Sequence, residues 1–219
     1  MANRETPSAN ISNSWITPFF TIWTEPRATI RRIVDTDPTR NVLTLAAIPP
    51  AIAALAGQWS RAMSSNANLS VLWPIWVAFT VVIEGALGIL GLYIAGAVLR
   101  WSGSLLGGVA SSIEVRAAIA WAGIPGITFQ LVLLLAVLLG VPMPHPAGNF
   151  VQIDPAFYKV GAIEFVLGIW GFFVELKCLA EVHRFSAWRA FFAVLIVAVM
   201  FGAVLGVFGL ILNRIVGHH

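Results

Sequence analysis

The chain of 219 residues is 58% hydrophobic and only 11% charged, and its mean hydropathy is +0.86. These values exclude a water-soluble domain of ordinary surface chemistry, so the sequence predicts an integral membrane protein. The net charge of +3 comes from thirteen basic residues scattered between long apolar runs, and this distribution predicts no nucleic-acid partner because it forms no basic stripe.

The first part of the chain divides into a polar tail, residues 1–17, and an amphipathic segment, residues 18–37, ahead of a membrane domain at 38–219. In the amphipathic segment Ile30 and Ile33 recur at helical spacing, while arginines take the other side. Such a helix is expected to lie in the cytoplasmic headgroup layer with its arginines toward anionic lipid. The segment either anchors the topology only or docks a cytoplasmic partner, and the residues do not separate these two roles.

Five runs of about 20 apolar residues, the length that a helix needs to cross about 30 Å of hydrocarbon, predict an all-α polytopic bundle of five transmembrane helices. Asp37-Pro38 and Asp154-Pro155 predict an N-cap followed by the first helical residue ahead of the first and fourth spans. The five predicted spans cover residues 41–60, 72–99, 117–140, 158–180 and 188–212.

The sequence also marks where the third predicted span begins and where it bends. Ser111 and Glu114 predict a capping box that opens an amphipathic approach to this span. Pro125 within the third span, like Pro49 and Pro50 within the first, removes a backbone donor and predicts a kink.

Five spans place the two termini on opposite sides of the membrane. With the N-terminus in the cytoplasm, ten of the thirteen lysines and arginines fall on the inner side and three on the outer side. Because positively charged loops resist translocation, this bias predicts a cytoplasmic N-terminus and an outer C-terminus. The first thirty residues contain no short apolar core with a small-residue cleavage site, so no removable signal peptide is expected. The predicted cytoplasmic surface for anionic headgroups or a protein partner comprises Arg27, Arg31, Arg32, Arg100, Arg116, Arg184 and Arg189.

Small residues mark a helix-packing face in the fifth span, where Ala198, Gly202 and Gly206 recur every four residues. This spacing lets the backbone of another helix approach closely, which favours helix association in lipid. The neighbour is either a helix of the same chain or a second copy in a homo-oligomer.

Three carboxylates and one lysine lie within the predicted spans as a candidate polar pathway. Glu84 falls near the bilayer midplane, where an ionised carboxylate costs several kcal/mol unless it is protonated, paired or hydrated. Glu164 and Glu175 are eleven residues apart, so both point to one helix face. If the second and fourth spans face each other, the three carboxylates form a ladder for a proton or a cation; the alternative is three separate, locally satisfied groups. Lys177 lies two residues from Glu175 and therefore off its face.

Enzyme signatures are missing from the sequence, which contains no paired-histidine metal motif, no nucleophile elbow and no phosphate loop with its lysine. Cys178 is the only cysteine, and a lone cysteine among apolar residues is usually a small hydrophobic side chain. No catalytic residue, metal or cofactor is therefore predicted.

Three segments together resemble the Yip1 family of five-span membrane proteins: TEPRATIRRI at 24–33, LLGGVASSIEVRAAIAWAGIPGI at 105–127 and LAEVHRFSAWRAF at 179–191. The resemblance covers residues 18–213 and implies a cytoplasmic N-terminus and an outer C-terminus, in agreement with the charge count. Eukaryotic members of the family are associated with Rab-type GTPases and early secretory traffic. This chain has only a short polar N-terminal tail and lacks the family's Asp-Leu-Tyr-Gly-Pro stretch, which weighs against GTPase binding.

Two hypotheses for function follow. The first is a non-enzymatic scaffold or adaptor whose basic cytoplasmic surface recruits lipid or a membrane-protein partner. The second is a small proton or cation channel or transporter that uses the intramembrane carboxylates. The expected location is a cytoplasmic membrane in a prokaryote or an early secretory membrane in a eukaryote.

Overall fold

The computed structural model describes residues 17–64, 72–141, 145–147, 150–152 and 155–216. The predicted polar tail at 1–17 lies outside these residues except for Thr17. The helices are α1 (Thr17–Thr24), α2 (Pro26–Thr36), α3 (Val42–Ser64), α4 (Trp73–Leu105), α5 (Ser112–Ala122), α6 (Ile124–Leu138), α7 (Pro155–His183) and α8 (Ala187–Val216). Between α6 and α7 a short antiparallel pair is formed by β1 (His145–Ala147) and β2 (Phe150–Gln152). The all-α prediction is confirmed for the bundle.

Four helical stretches among the described residues are long and apolar enough to cross a membrane: Val42–Ala62, Trp73–Leu105, Ser112–Leu138 and Ala187–Ile211. They coincide with the first, second, third and fifth predicted spans. The fourth predicted span lies in α7, which is not among these four stretches. Across its 29 residues α7 carries the charged residues Lys159, Glu164, Glu175, Lys177 and Glu181. The number of spans and the orientation of the termini therefore stay predictions.

The capping box that the sequence predicts at the start of α5 is confirmed. The Ser111 backbone N–H donates to Glu114 Oε2 at 2.6 Å, and the Glu114 N–H donates to Ser111 Oγ at 3.3 Å. Pro155 is the first residue of α7, as predicted, while Asp154 lies outside the described residues. Side-chain hydrogen bonds therefore cap the start of α5, and a proline occupies the first position of α7.

The predicted helix start at Asp37-Pro38 is wrong, because α3 begins only at Val42. The Asp37 carboxylate accepts hydrogen bonds from the Thr39 N–H at 2.9 Å and the Thr39 hydroxyl at 2.7 Å, and so closes a turn. Asn41 then adopts a left-handed conformation, with φ of 56°, immediately before the helix. An aspartate that bonds the backbone two residues ahead favours a turn over a helix cap.

The prolines that were predicted to kink the first and third spans occupy different places in the helices. Pro125 lies in the first turn of α6, and the third predicted span is divided at Gly123 into α5 and α6. Pro49 and Pro50 lie inside α3, which continues through them. Pro50 faces a glycine of α4: a Cβ added to Gly88 would lie 2.5 Å from the Pro50 Cγ atom. The absence of a side chain at this position lets α3 and α4 approach closely.

The hydrophobic core lies around α5, which packs against α2, α3, α4 and α7. Val115, Ala117, Ala118 and Trp121 on α5 are completely buried. The second half of α8 differs, because every residue from 198 to 211 is exposed. The molecule therefore has a tightly packed end built around α5 and an apolar extension formed by α8.

Candidate functional site

Two interhelical turns and helix α2 meet at one end of the bundle. The α4–α5 turn contacts the α7–α8 turn, where the Val109 N–H lies 3.4 Å from the His183 carbonyl oxygen. Helix α2 is tied to the same end by an ion pair between Arg31 and Glu181 of α7. We call this region, formed by α2, the ends of α4 and α7, the starts of α5 and α8 and the two turns, the basic end.

Helix α2 docks on the bundle through its apolar side. Ile30 and Ile33 are buried in the core cluster together with residues of α5 and α7. The Thr29 hydroxyl is also buried and donates to Thr21 Oγ1 at 2.8 Å, joining α2 to α1. Full burial of an isoleucine side chain contributes about 1.5–3 kcal/mol. The apolar side of α2 is therefore covered by protein, and the exposed apolar contact of this segment comes from Phe20, which is 72% exposed.

Two of the seven arginines predicted for the cytoplasmic surface are engaged within the chain. Arg31 Nε donates to Glu181 Oε1 at 2.8 Å, and this hydrogen bond raises the pKa of Arg31. The Arg116 guanidinium lies 4.4 Å from the centroid of the Tyr93 ring, a cation–π contact between α5 and α4. Both arginines therefore hold elements of the bundle together.

The remaining five arginines point outward from the basic end. Each is exposed and forms no ion pair within the described part of the chain. Arg184 follows the last residue of α7 in a left-handed conformation, with φ of 56°, and the Phe185 N–H closes the helix end on the Ala180 carbonyl at 3.0 Å. These five exposed arginines are Arg27, Arg32, Arg100, Arg184 and Arg189.

A tryptophan of α5 anchors the chain on both sides of α2. The Trp121 indole N–H donates to the Arg40 carbonyl oxygen at 3.1 Å, across 81 residues of sequence. The Phe19 ring of α1 packs on Trp121 with a centroid distance of 5.0 Å. Sequence reasoning missed this anchor, since a tryptophan in an apolar helix carries no signal of its partner.

The structure does not bring the intramembrane carboxylates together. Helix α4 packs against α3, α5 and α8, whereas α7 packs against α2, α5, α6 and α8, so α4 and α7 share no extended interface in the described chain. Glu84 is exposed on α4 and Glu164 is exposed on α7, while Glu175 is half-buried and Lys177 is exposed. The arrangement required for a carboxylate ladder, α4 facing α7, is not the one that these helices adopt.

The small residues of the fifth predicted span lack a neighbour from the described chain. Ala198, Gly202 and Gly206 are all exposed on α8. A Cβ added to either glycine would have no described atom within 4 Å. Packing among the described residues of one copy therefore does not use this stripe.

No group of three or more histidine, cysteine, aspartate or glutamate side chains that could hold a metal ion occurs in the described residues. Cys178 is buried, with its Sγ 3.8 Å from the Pro26 carbonyl oxygen. Its place between α7 and α2 is that of a small packing residue.

Sequence reasoning also missed His183, which is buried where the two turns of the basic end meet. Burial lowers the pKa of its imidazole, because the charged ring loses its hydration. The only signal in the sequence is the combination of one histidine after α7 and a Gly-Gly pair after α4, which is too common to be specific.

A family model described as the Yip1 domain matches residues 20–209. This range includes both turns of the basic end and the docked helix α2. No curated protein and no solved structure matches the chain.

Proposed function

The chain belongs to the Yip1 family of membrane proteins, and on that premise we propose that it acts as a non-enzymatic scaffold or adaptor whose basic end binds anionic headgroups at the cytoplasmic face. In this proposal the arginine surface recruits lipid, and the helices below it hold that surface at the membrane. The family membership and the four span-like helices support a multi-pass membrane protein.

The observation that carries the proposal is that one arginine of α2 pairs within the chain while other arginines at the basic end stay exposed. Arg31 is used internally to dock α2, through Glu181. The docking places Arg27 and Arg32 of α2 at the same end as Arg184 and the other exposed arginines, which have no ion pair in the described chain. Basic residues near an anionic leaflet contribute about 1 kcal/mol each. A surface of this composition suits negatively charged lipid better than a neutral partner.

The proposed topology includes α7 as a fifth span. At about 1.5 Å per residue, its 29 residues measure about 43 Å, enough to cross the hydrocarbon with both ends in the headgroup layers. The C-terminal end of α7 and the start of α8 then lie in the cytoplasm with the N-terminal segment. This places the C-terminus outside, as the distribution of lysine and arginine favours.

Lipid selectivity tests the proposal. The purified chain is reconstituted in vesicles in which either the anionic or the zwitterionic lipid carries bromine on its acyl chains, and quenching of tryptophan fluorescence is measured. Trp101 and Trp188 are exposed near the basic end, and they report on lipids there once the remaining tryptophans, apart from the buried Trp121, are replaced by phenylalanine. We expect stronger quenching by the anionic lipid at equal mole fraction.

The matched variants replace arginine by glutamine at the two ends of α8. Arg189→Gln combined with Arg184→Gln is expected to reduce the anionic preference several-fold, whereas Arg214→Gln, an exposed arginine at the far end of α8, leaves it unchanged. Equal quenching of Trp101 and Trp188 by both lipids, with all arginines native, would refute the proposal.

A further inference from the structure

His183, the last residue of α7, is seated in the contact between the two turns of the basic end. Its side chain is only 2% exposed, and neither ring nitrogen has a hydrogen-bond partner within the described part of the chain. The ring stacks on Phe185 with a centroid distance of 5.0 Å and an interplanar angle of 2°. A neutral imidazole has one donor and one acceptor, so leaving both unpaired in a buried place opposes folding.

Two glycines form the surface that receives the ring. A Cβ added to Gly103 would lie 2.4 Å from His183 Cε1, and a Cβ added to Gly108 would lie 2.3 Å from Nδ1. No larger residue fits at either position unless the ring moves. The imidazole therefore occupies the space that these glycines leave between the end of α4 and the α4–α5 turn.

The backbone closes around the same ring. The Gly108 N–H donates to the Gly103 carbonyl at 2.9 Å, which folds the α4–α5 turn, and the Val109 N–H meets the His183 carbonyl at 3.4 Å. Displacement of the histidine would therefore disturb the contact between both turns rather than one side chain alone.

We propose that His183 is a proton-sensitive latch that joins the α4–α5 turn to the α7–α8 turn when its ring is neutral and releases them when the ring is protonated. The protonated ring has two N–H donors and a positive charge, and neither ring nitrogen has a hydrogen-bond partner among the described residues. Release exchanges this unsolvated charge for a hydrated one.

The charges around the ring set the direction of the effect. Burial lowers the pKa of His183, and the Glu114 carboxylate at the start of α5 opposes that shift. The packed elements also carry charged groups towards this end, which are Arg100 on α4, Arg116 on α5, Glu175, Lys177 and Glu181 on α7, Arg184 in the α7–α8 turn and Arg189 on α8. Since the folded-state pKa lies below the ordinary value of 6.5, the latch holds above about pH 6.5 and weakens as the pH falls through the interval below it.

Titration of the ring by NMR tests the latch in the full chain. The protein is labelled with ¹³C and ¹⁵N at its histidines, of which the sequence has four, and is held in lipid nanodiscs. The His183 signal is identified by its absence from His183→Gln. We expect the His183 ring to titrate with a midpoint below pH 6.5. A midpoint at or above pH 6.5 overturns the proposal.

Glu114→Gln provides a matched control, because glutamine retains the capping box with Ser111 while the negative charge is lost. The His183 midpoint is expected to fall further in this variant. An unchanged midpoint would show that the ring does not sit in the environment described, and would also overturn the latch.

Hydrogen exchange at the Val109 amide measures release of the turns. After correction for the intrinsic effect of pH, exchange is expected to accelerate several-fold between pH 7.5 and pH 5 in the native chain. In His183→Phe, whose ring cannot be protonated, the corrected exchange rate is expected to stay constant. His183→Gln serves the same purpose if the phenylalanine variant fails to fold. Constant exchange in the native chain, or equal acceleration in the non-titrating variant, contradicts the latch.

Discussion

Trp121 on α5 donates its indole N–H to the carbonyl oxygen of Arg40, at 3.1 Å and 81 residues away in sequence. The bond joins the centre of the core to the turn that connects α2 with α3. Through it the amphipathic N-terminal segment and the first long helix are fixed relative to α5. Trp121 is therefore one of the attachments, beside the Arg31–Glu181 ion pair, that hold the N-terminal part of the basic end in place.

Replacement of Trp121 tests this anchor. Trp121→Phe retains most of the buried ring but leaves the Arg40 carbonyl without its donor, so we expect a loss of about 1–3 kcal/mol in the free energy of unfolding. Denaturant unfolding in mixed micelles measures the loss. Trp188→Phe is the control, because Trp188 is 74% exposed; an equal loss in both variants would mean that the hydrogen bond contributes nothing.

The close approach of α3 and α4 depends on Gly88. A Cβ at this position would lie 2.5 Å from both the Ala46 carbonyl oxygen and the Pro50 Cγ, so Gly88→Ala forces the helices apart and is expected to cost about 1–3 kcal/mol. Gly91→Ala, with no described atom within 4 Å of the added carbon, is expected to be neutral or stabilising. The unfolding temperature is therefore expected to fall in Gly88→Ala and to stay the same or rise in Gly91→Ala. Equal changes in the two variants would count against this packing.

The Asp37 turn predicts a pH dependence. Hydrogen bonds from Thr39 lower the pKa of Asp37 below its ordinary value of 3.8. Because the folded-state pKa is the lower one, the stabilisation is fully present above about pH 4 and is lost as the pH falls through the folded-state value. Asp37→Asn is expected to remove this part of the acid dependence in unfolding experiments. If the native chain and the variant lose stability in parallel, the carboxylate makes no contribution through its charge.

Proton flux separates the scaffold from the channel hypothesis. Glu84 is exposed on α4, and α4 has no extended interface with α7, so Glu84→Gln is expected to leave the proton permeability of proteoliposomes at the level of the native chain. A dye that reports internal pH measures the flux. Substantial flux in the native chain that disappears in the variant would favour the carboxylate pathway instead.

Much of the fold is readable from hydropathy, because the length of a span and the need to satisfy every backbone group within lipid leave few alternatives to a helix. The predicted span at 188–212 falls within α8, the one at 72–99 begins one residue before α4, and the capping box at Ser111 marks the start of α5 correctly. The error at Asp37 arose because an aspartate ahead of a proline is compatible with both a helix cap and a turn. Only the hydrogen bonds to Thr39 decide between them.

Less of the candidate site could be predicted from the sequence. The amphipathic pattern of α2 is evident, but the sequence does not show which helices pack against its apolar side. Ile30 and Ile33 have the spacing of a lipid-facing helix and are nevertheless buried against α5 and α7. Likewise, no local pattern indicates that Arg31 pairs with Glu181 or that His183 meets Gly103, because these contacts join distant parts of the chain. Pairing of this kind is determined by helix packing, which a single sequence does not specify.

Labelling with a membrane-impermeant maleimide shows whether the basic end lies in the cytoplasm, as the proposed topology requires. Cysteine is introduced at Ser186 in the α7–α8 turn in one variant and at Arg214 near the far end of α8 in another, both exposed positions, while the native Cys178 is buried and stays unlabelled. With the basic end in the cytoplasm, Ser186→Cys reacts only after the cells are permeabilised, whereas Arg214→Cys reacts in intact cells. Labelling of Ser186→Cys in intact cells, or of both variants from the same side, would contradict this topology.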